Sequence, residues 1–289
     1  MYLKFLALIF TFLSLLLCSK LPIISPQWFS LFSAMLMTHF ALSFYYSKDY
    51  IDLFFHKKKY LLLTSILLGS ILLFIYQPIL LYFYFGLHFM LSEVYSIPDL
   101  KDRKDYDPIL IMNMLFYLSF YLVIFKETLY TKSIMYTQYI PSYSTYLFFA
   151  SCFGLLIYSI KNKISFSIEN HASHFICFSL VCFTLYFQLP RVIFLVCIMY
   201  HVIHWIFLGY TKLPLKKAKK FVIFNIILTS SFYAFTSEGL QLLEITFASP
   251  TEVHRQWEQQ ITFWGIIHIS FTFFISRLNP SYLRRFLLE

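Results

Sequence analysis

Residues 190–209 read PRVIFLVCIMYHVIHWIFLG. His201 and His204 interrupt an otherwise apolar run that is long enough to cross a bilayer as one α-helix, because an α-helix rises about 1.5 Å per residue. An imidazole in hydrocarbon is costly, so histidines inside a membrane helix indicate function. The stretch therefore predicts a helical membrane fold with a site inside it.

The rest of the chain has the same character. Of its 289 residues, 59% are hydrophobic and 13% are charged, whereas a soluble domain is typically about one quarter charged. Apolar runs occupy residues 2–18, 27–46, 60–76, 78–95, 108–125, 143–160, 174–188, 190–209, 221–236 and 261–276. We predict an all-α, polytopic membrane helical bundle of about ten transmembrane helices, with one integral membrane domain over residues 1–289.

The basic residues support this count of spans. If the N-terminus is cytoplasmic and the sides alternate, 18 of the 23 Lys and Arg fall on the cytoplasmic side and 5 on the other. Cytoplasmic loops of membrane proteins carry such an excess. We therefore expect both termini to be cytoplasmic and the protein to be integral to a membrane, with the bacterial inner membrane as its location. Since the basic residues lie in short loops, the net charge of +9 does not indicate a nucleic-acid partner.

Four predicted spans carry a histidine at a similar depth. His39, His88, His201 and His268 lie 9 to 13 residues before the first cytoplasmic charge that follows them, which is about 14–20 Å along a helix. All four spans run in the same direction in the predicted topology. This agreement predicts a shared site in the bilayer.

The residue types favour a metal at this site. His201 and His204 are three apart, so they share a helix face, and imidazoles from several helices suit iron, zinc or copper. We predict His39, His88, His201 and His204 as metal ligands. The alternative that these histidines only form hydrogen bonds between helices stays open.

Two further residues are candidates for a catalytic or supporting role. His268 could act as a base beside the metal or as a polar contact. Glu93 is the one acid placed inside a predicted span, where it could orient a histidine or carry protons. It could equally lie at the membrane interface, near the end of its helix.

The layout of histidines resembles that of the Brp/Blh-type membrane β-carotene 15,15′-dioxygenases. Here His39 and His88 come from separate early helices, and the pair His201 and His204 comes from a later one. The resemblance implies that these four residues bind Fe²⁺. It also implies that oxygen cleaves an apolar polyene to a retinal-like aldehyde.

The leading hypothesis is thus an integral membrane non-haem iron oxygenase that acts on a lipid or polyene substrate. Zinc and haem b are alternative cofactors. A haem b electron-transfer protein would use the histidines as axial ligands. A transporter would use them, with Glu93, as titrating groups, and a non-enzymatic subunit of a larger membrane complex would use them only as hydrogen-bonding groups.

Overall fold

The chain is helical in the part that the computed structural model describes, namely residues 2–18, 25–56, 60–76, 78–95, 97, 107–132, 140–162, 168–187, 190–243 and 249–275. The helices are α1 (Tyr2–Cys18), α2 (Pro26–His56), α3 (Tyr60–Tyr76), α4 (Pro78–Tyr95), α5 (Pro108–Lys132), α6 (Ile140–Lys161), α7 (Ile168–Phe187), α8 (Pro190–Lys212), α9 (Leu215–Ala234), α10 (Ser237–Leu242) and α11 (Pro250–Ile275). These residues contain no strand. The prediction of an all-α protein is confirmed.

Proline marks the beginning of many of these helices. Its fixed φ suits the first helical residue, where a backbone N–H would have no partner inside the helix. The helices that begin in this way start at Pro26, Pro78, Pro108, Pro190 and Pro250. The prolines therefore set where these apolar runs become helical.

Each predicted apolar run lies mainly within a helix, but several helices extend beyond their runs. The run 27–46 belongs to α2, which continues through Lys48 and Asp49 to His56. The run 221–236 belongs to α9, which begins at Leu215 and includes four lysines in its first turns. Lysine is a good helix former, so the helix does not end where the apolar run does.

Membrane-crossing helices can be assessed only within the described residues. There, the segment Tyr143–Lys161 of α6 is long and apolar enough to cross a membrane, and 17% of it is buried. Shorter apolar helical segments are Leu3–Ser14, Pro108–Ile124, His171–Tyr186 and Leu195–Leu208. The number of membrane spans and the cytoplasmic location of both termini stay predictions.

The chain divides into two compact units. Unit 1 comprises Ser47–Phe194 and Ile269–Glu289 together with Met1, and unit 2 comprises Tyr2–Tyr46 and Leu195–His268. In unit 1, α5 packs against α4, α6 and α7. The approach of α4 to α5 depends on Gly86, since a Cβ atom there would lie 2.6 Å from two ring carbons of Tyr121.

In unit 2, helix α2 contacts several other helices. The Trp28 Nε1–H donates to Ser14 Oγ of α1 at 3.1 Å, and the hydroxyls of Thr38 and Thr229 of α9 are 3.1 Å apart. The Phe44 ring packs edge-on against Trp264 of α11. A further contact, with α8, is made by histidines and is part of the candidate site.

Candidate metal centre

Three histidines from three helices of unit 2 come together. The ring centre of His39 on α2 lies 4.7 Å from that of His268 on α11 and 5.7 Å from that of His201 on α8. His201 and His268 are buried, with 2% and 3% of their surface exposed. The structure thus joins two predicted metal ligands with the residue that sequence analysis gave a supporting role.

Ser43 determines which nitrogen of His268 can accept a proton or bind a metal. The Ser43 hydroxyl donates its single hydrogen to the Phe40 carbonyl at 2.7 Å, and its oxygen lies 2.7 Å from His268 Nδ1. Since the hydroxyl hydrogen is already used, Nδ1 must carry the proton and donate to Ser43. The lone pair of the neutral ring is therefore on Nε2.

His39 brings an unsatisfied nitrogen to this cluster. Its Nε2 atom is buried and has no hydrogen-bond partner within the described part of the chain. A buried polar atom without a partner costs about 1–3 kcal/mol, so such an atom calls for a functional explanation. A bound ion or a bound water molecule would supply the missing interaction.

Apolar and aromatic side chains surround the three rings. Phe40 lies 5.0 Å from the His268 ring, and Trp205 lies edge-on at 6.2 Å from His201. Val202 and Ile266 on the same helices as His201 and His268 are each 1% exposed. His201 and His268 therefore lie in the protein interior, where an interaction between charged or polar groups is stronger than in water.

The second histidine of the HxxH pair has a different neighbour. His204 is 4% exposed, and its ring stacks on Tyr200 at 5.9 Å with an angle of 6° between the planes. It belongs to unit 2 with the three clustered histidines. Its predicted role as a ligand stays a prediction.

His88 and Glu93, the other two predicted site residues, belong to unit 1. His88 is 5% exposed and lies 6.2 Å from the Phe85 ring. Glu93 is 1% exposed, and it accepts a hydrogen bond of 2.5 Å from Ser173 on α7. The Glu93 side chain is thus buried within the protein, and its depth in the membrane stays a prediction.

Unit 1 also contains a polar pair, of which sequence analysis did not single out Asn113. His174 Nε2 lies 2.6 Å from Asn113 Oδ1, and the His174 ring packs against Phe116 and Tyr117 at 4.9 and 5.3 Å. Asn113 also donates to the Ile109 carbonyl, four residues earlier. A buried asparagine in an apolar helix was the available sequence signal.

The donor atoms are not yet arranged as in a bound metal centre. Within the described residues, no group of three or more His, Cys, Asp or Glu side chains is arranged to hold a metal ion as it stands. Comparison of the chain with protein-family models, curated proteins and solved structures gives no match. The case for function therefore depends on the local chemistry of the histidines.

Proposed function

We propose that this chain is an integral membrane oxygenase that depends on a metal held by His39, His201 and His268, with iron as the metal and a lipid or polyene as the substrate. The observation that carries the proposal is the approach of these three rings within unit 2. The metal would supply oxygen activation when bound. His204 is a candidate for a fourth ligand, as the family resemblance implies.

The ring separations fit a shared metal. With a metal–nitrogen distance of about 2.1 Å, an imidazole centre lies about 3.2 Å from the metal, so two ligand rings at 90–110° are about 4.5–5.3 Å apart. The His39–His268 separation of 4.7 Å lies in this range, and the His39–His201 separation of 5.7 Å is slightly larger.

The hydrogen bonds of the histidines also support a shared metal. A metal needs a nitrogen lone pair, and a histidine ligand usually donates its other N–H to an oxygen. Ser43 accepts that bond from His268 Nδ1, and His39 Nε2 is a buried atom that lacks a partner among the described residues.

The surrounding residues would favour an apolar substrate. Phe40 and Trp205 flank the histidine rings, and they would exclude water and contact a hydrocarbon chain by dispersion. A dry site also limits side reactions of a reactive intermediate. His88 and Glu93 lie in the other unit and carry no part of this proposal.

The membrane location is part of the proposal. It is supported by the apolar runs of the sequence, by the uneven distribution of Lys and Arg, and by the Tyr143–Lys161 segment with its mostly unburied apolar surface. We propose the bacterial inner membrane, with both termini in the cytoplasm. Recovery of the full chain from the membrane fraction after an alkaline wash would be expected.

Metal analysis of the purified full chain tests the function. We expect about one equivalent of iron in the wild type and at least tenfold less in the His39→Ala, His201→Ala and His268→Ala variants. His171→Ala is the matched control, because His171 lies on α7 in unit 1, and it should keep its iron. Each variant is first checked for helical content and thermal unfolding.

Two results would overturn the proposal. One is a folded wild-type protein that takes up neither iron nor zinc when they are supplied during purification. The other is metal content that is equal in the His201→Ala and His171→Ala variants. A Soret absorption band that disappears with these histidines would instead identify haem b as the bound group.

A further inference from the structure

The first turns of α9 present four lysines on one side. Lys216, Lys217, Lys219 and Lys220 are all exposed. The opposite side of the helix faces the interior of unit 2, with Ala218, Phe221 and Asn225 only 2%, 7% and 6% exposed. At 100° per residue, the lysines cover an arc centred almost opposite the buried stripe. We call these four lysines the basic band.

Every lysine of the basic band has an exposed apolar side chain seven residues later. Seven residues are two helical turns, so the members of each pair lie on the same face about 10 Å apart along the axis. The apolar partners, in the same order, are Ile223 (58% exposed), Phe224 (45%), Ile226 (60%) and Ile227 (55%). We call these four residues the apolar band.

A bilayer surface has the same two layers in the same order. Its hydrocarbon core is about 30 Å thick, and the polar headgroup regions bring the total to about 40–45 Å. A basic band about 10 Å from an apolar band therefore spans the boundary between phosphate groups and acyl chains. A cluster of four large apolar side chains facing water would be unfavourable, whereas the same cluster facing acyl chains is not.

The lysine side chains suit the headgroup layer. Helical Cα–Cβ bonds tilt toward the helix N-terminus, which here points from the apolar band to the basic band. Lysines extend their apolar stems along the surface and keep their ammonium groups in the polar layer. All four ammonium groups can therefore reach the phosphates without entering the hydrocarbon.

We propose that the basic band is a binding site for anionic lipids, whose phosphate groups contact the four lysines while their acyl chains cover the apolar band. This inference rests on the membrane location given under the proposed function but not on the metal or the oxygenase activity. Residues 215–221 of α9 contain four lysines and no acidic residue. Each lysine near an anionic surface strengthens the attraction to it, so the loss of all four gives a measurable fall in affinity.

Retention of defined lipids by the detergent-purified full chain tests the site. The protein is titrated with phosphatidylglycerol or phosphatidylcholine, and bound lipid is counted by native mass spectrometry. We expect the variant with all four lysines changed to Gln to bind phosphatidylglycerol at least about tenfold more weakly than the wild type, with unchanged binding of phosphatidylcholine. The variant with all four changed to Arg is the matched control and should bind like the wild type.

A competition experiment and two double variants distinguish lipid binding from the binding of free phosphate and from a loss of folding. An excess of inorganic phosphate should displace little phosphatidylglycerol, because free phosphate cannot cover the apolar band. If the fourfold Gln variant does not fold, the double variants K216Q/K217Q and K219Q/K220Q replace it, and each should weaken binding by an intermediate amount. The site is wrong if folded Gln and Arg variants bind phosphatidylglycerol equally well.

These experiments also distinguish a failure of the lipid-binding proposal from a failure of the proposed function. A chain that contains no metal but loses phosphatidylglycerol with its lysines supports the lipid site alone. A chain that is absent from membranes and binds neither lipid overturns both the membrane location and this site.

Discussion

Replacement of Ser43 by alanine is the sharpest perturbation of the candidate metal centre. The Ser43 oxygen accepts a hydrogen bond from His268 Nδ1 at 2.7 Å, and no metal ligand is changed. We expect Ser43→Ala to lower the affinity for metal by about 10–100-fold, the usual cost of removing a group that orients a histidine ligand. The His268 ring would then be free to rotate or to place its proton on Nε2.

The same change has an effect that does not require metal. Without the serine oxygen, the buried Nδ1–H of His268 loses the acceptor that the structure gives it, at a cost of about 1–3 kcal/mol. The metal-free Ser43→Ala protein should therefore unfold more readily than the wild type. Ser43→Thr keeps a hydroxyl at this position and should retain most of the stability and of the metal affinity.

Ser33 provides a matched control on the same helix. It is 1% exposed, and its hydroxyl has no hydrogen-bond partner in the described part of the chain. Ser33→Ala removes an unsatisfied hydroxyl, so the free energy of unfolding should stay equal or rise, and the metal affinity should not change. Both serines lie in α2, so any general effect of a serine-to-alanine change in this helix is shared.

Two measurements on the full chain decide the matter. Competition with a chelator of known affinity gives the dissociation constant of the metal. Tryptophan fluorescence during denaturation gives the unfolding midpoint of unit 2, because Trp28, Trp205, Trp257 and Trp264 all belong to it. If Ser43→Ala matches Ser33→Ala in both quantities, the role assigned to Ser43 is wrong.

Two other predictions follow from the structure. Gly86→Ala should destabilise unit 1 by about 1–2 kcal/mol, because the cost of overpacking against the Tyr121 ring exceeds the gain of up to about 1 kcal/mol in helix propensity. The control Gly69→Ala, whose Cβ would meet nothing within 4 Å, should be neutral or stabilising. Circular dichroism during denaturation gives the unfolding midpoint of each variant. Equal changes of the midpoint in the two variants would contradict the close contact of Gly86 with Tyr121. Metal affinity should fall at acid pH, because protonation of a histidine ligand removes the lone pair that binds the metal. A chelator competition that stays constant with pH down to the acid limit of the folded protein would argue against histidine ligands.

The helices were predictable because their signal is local. An apolar run bounded by prolines and charges defines a helix without reference to the rest of the chain, and all ten runs lie mainly in helices. The ends were less predictable, as α2 shows by continuing past residue 46 to His56. An apolar run shows which residues avoid water. The helical hydrogen bonds, in contrast, continue through any residues that tolerate the helical conformation, including Lys48 and Asp49.

The candidate site was predictable in part. The sequence predicts a similar depth for His39, His201 and His268, and the structure brings their rings together. Depth, however, says nothing about lateral position. It also places His88 at the same level, and His88 belongs to unit 1. Lateral neighbours depend on which helices pack together, and no local pattern in the sequence carries that information.

Ser43 shows what kind of residue sequence analysis overlooks. It lies four residues after His39, on the same face of α2, yet a serine in an apolar helix usually bonds only to its own backbone, as Ser43 also does with Phe40. Its second role arises because α11 brings His268 to it. The single hydroxyl hydrogen cannot serve the carbonyl and the imidazole at once, so the backbone bond itself determines the imidazole tautomer. A local helix contact thereby places the lone pair of His268 on the nitrogen that would bind a metal, and this makes Ser43, rather than any additional histidine, the residue whose replacement best tests the site.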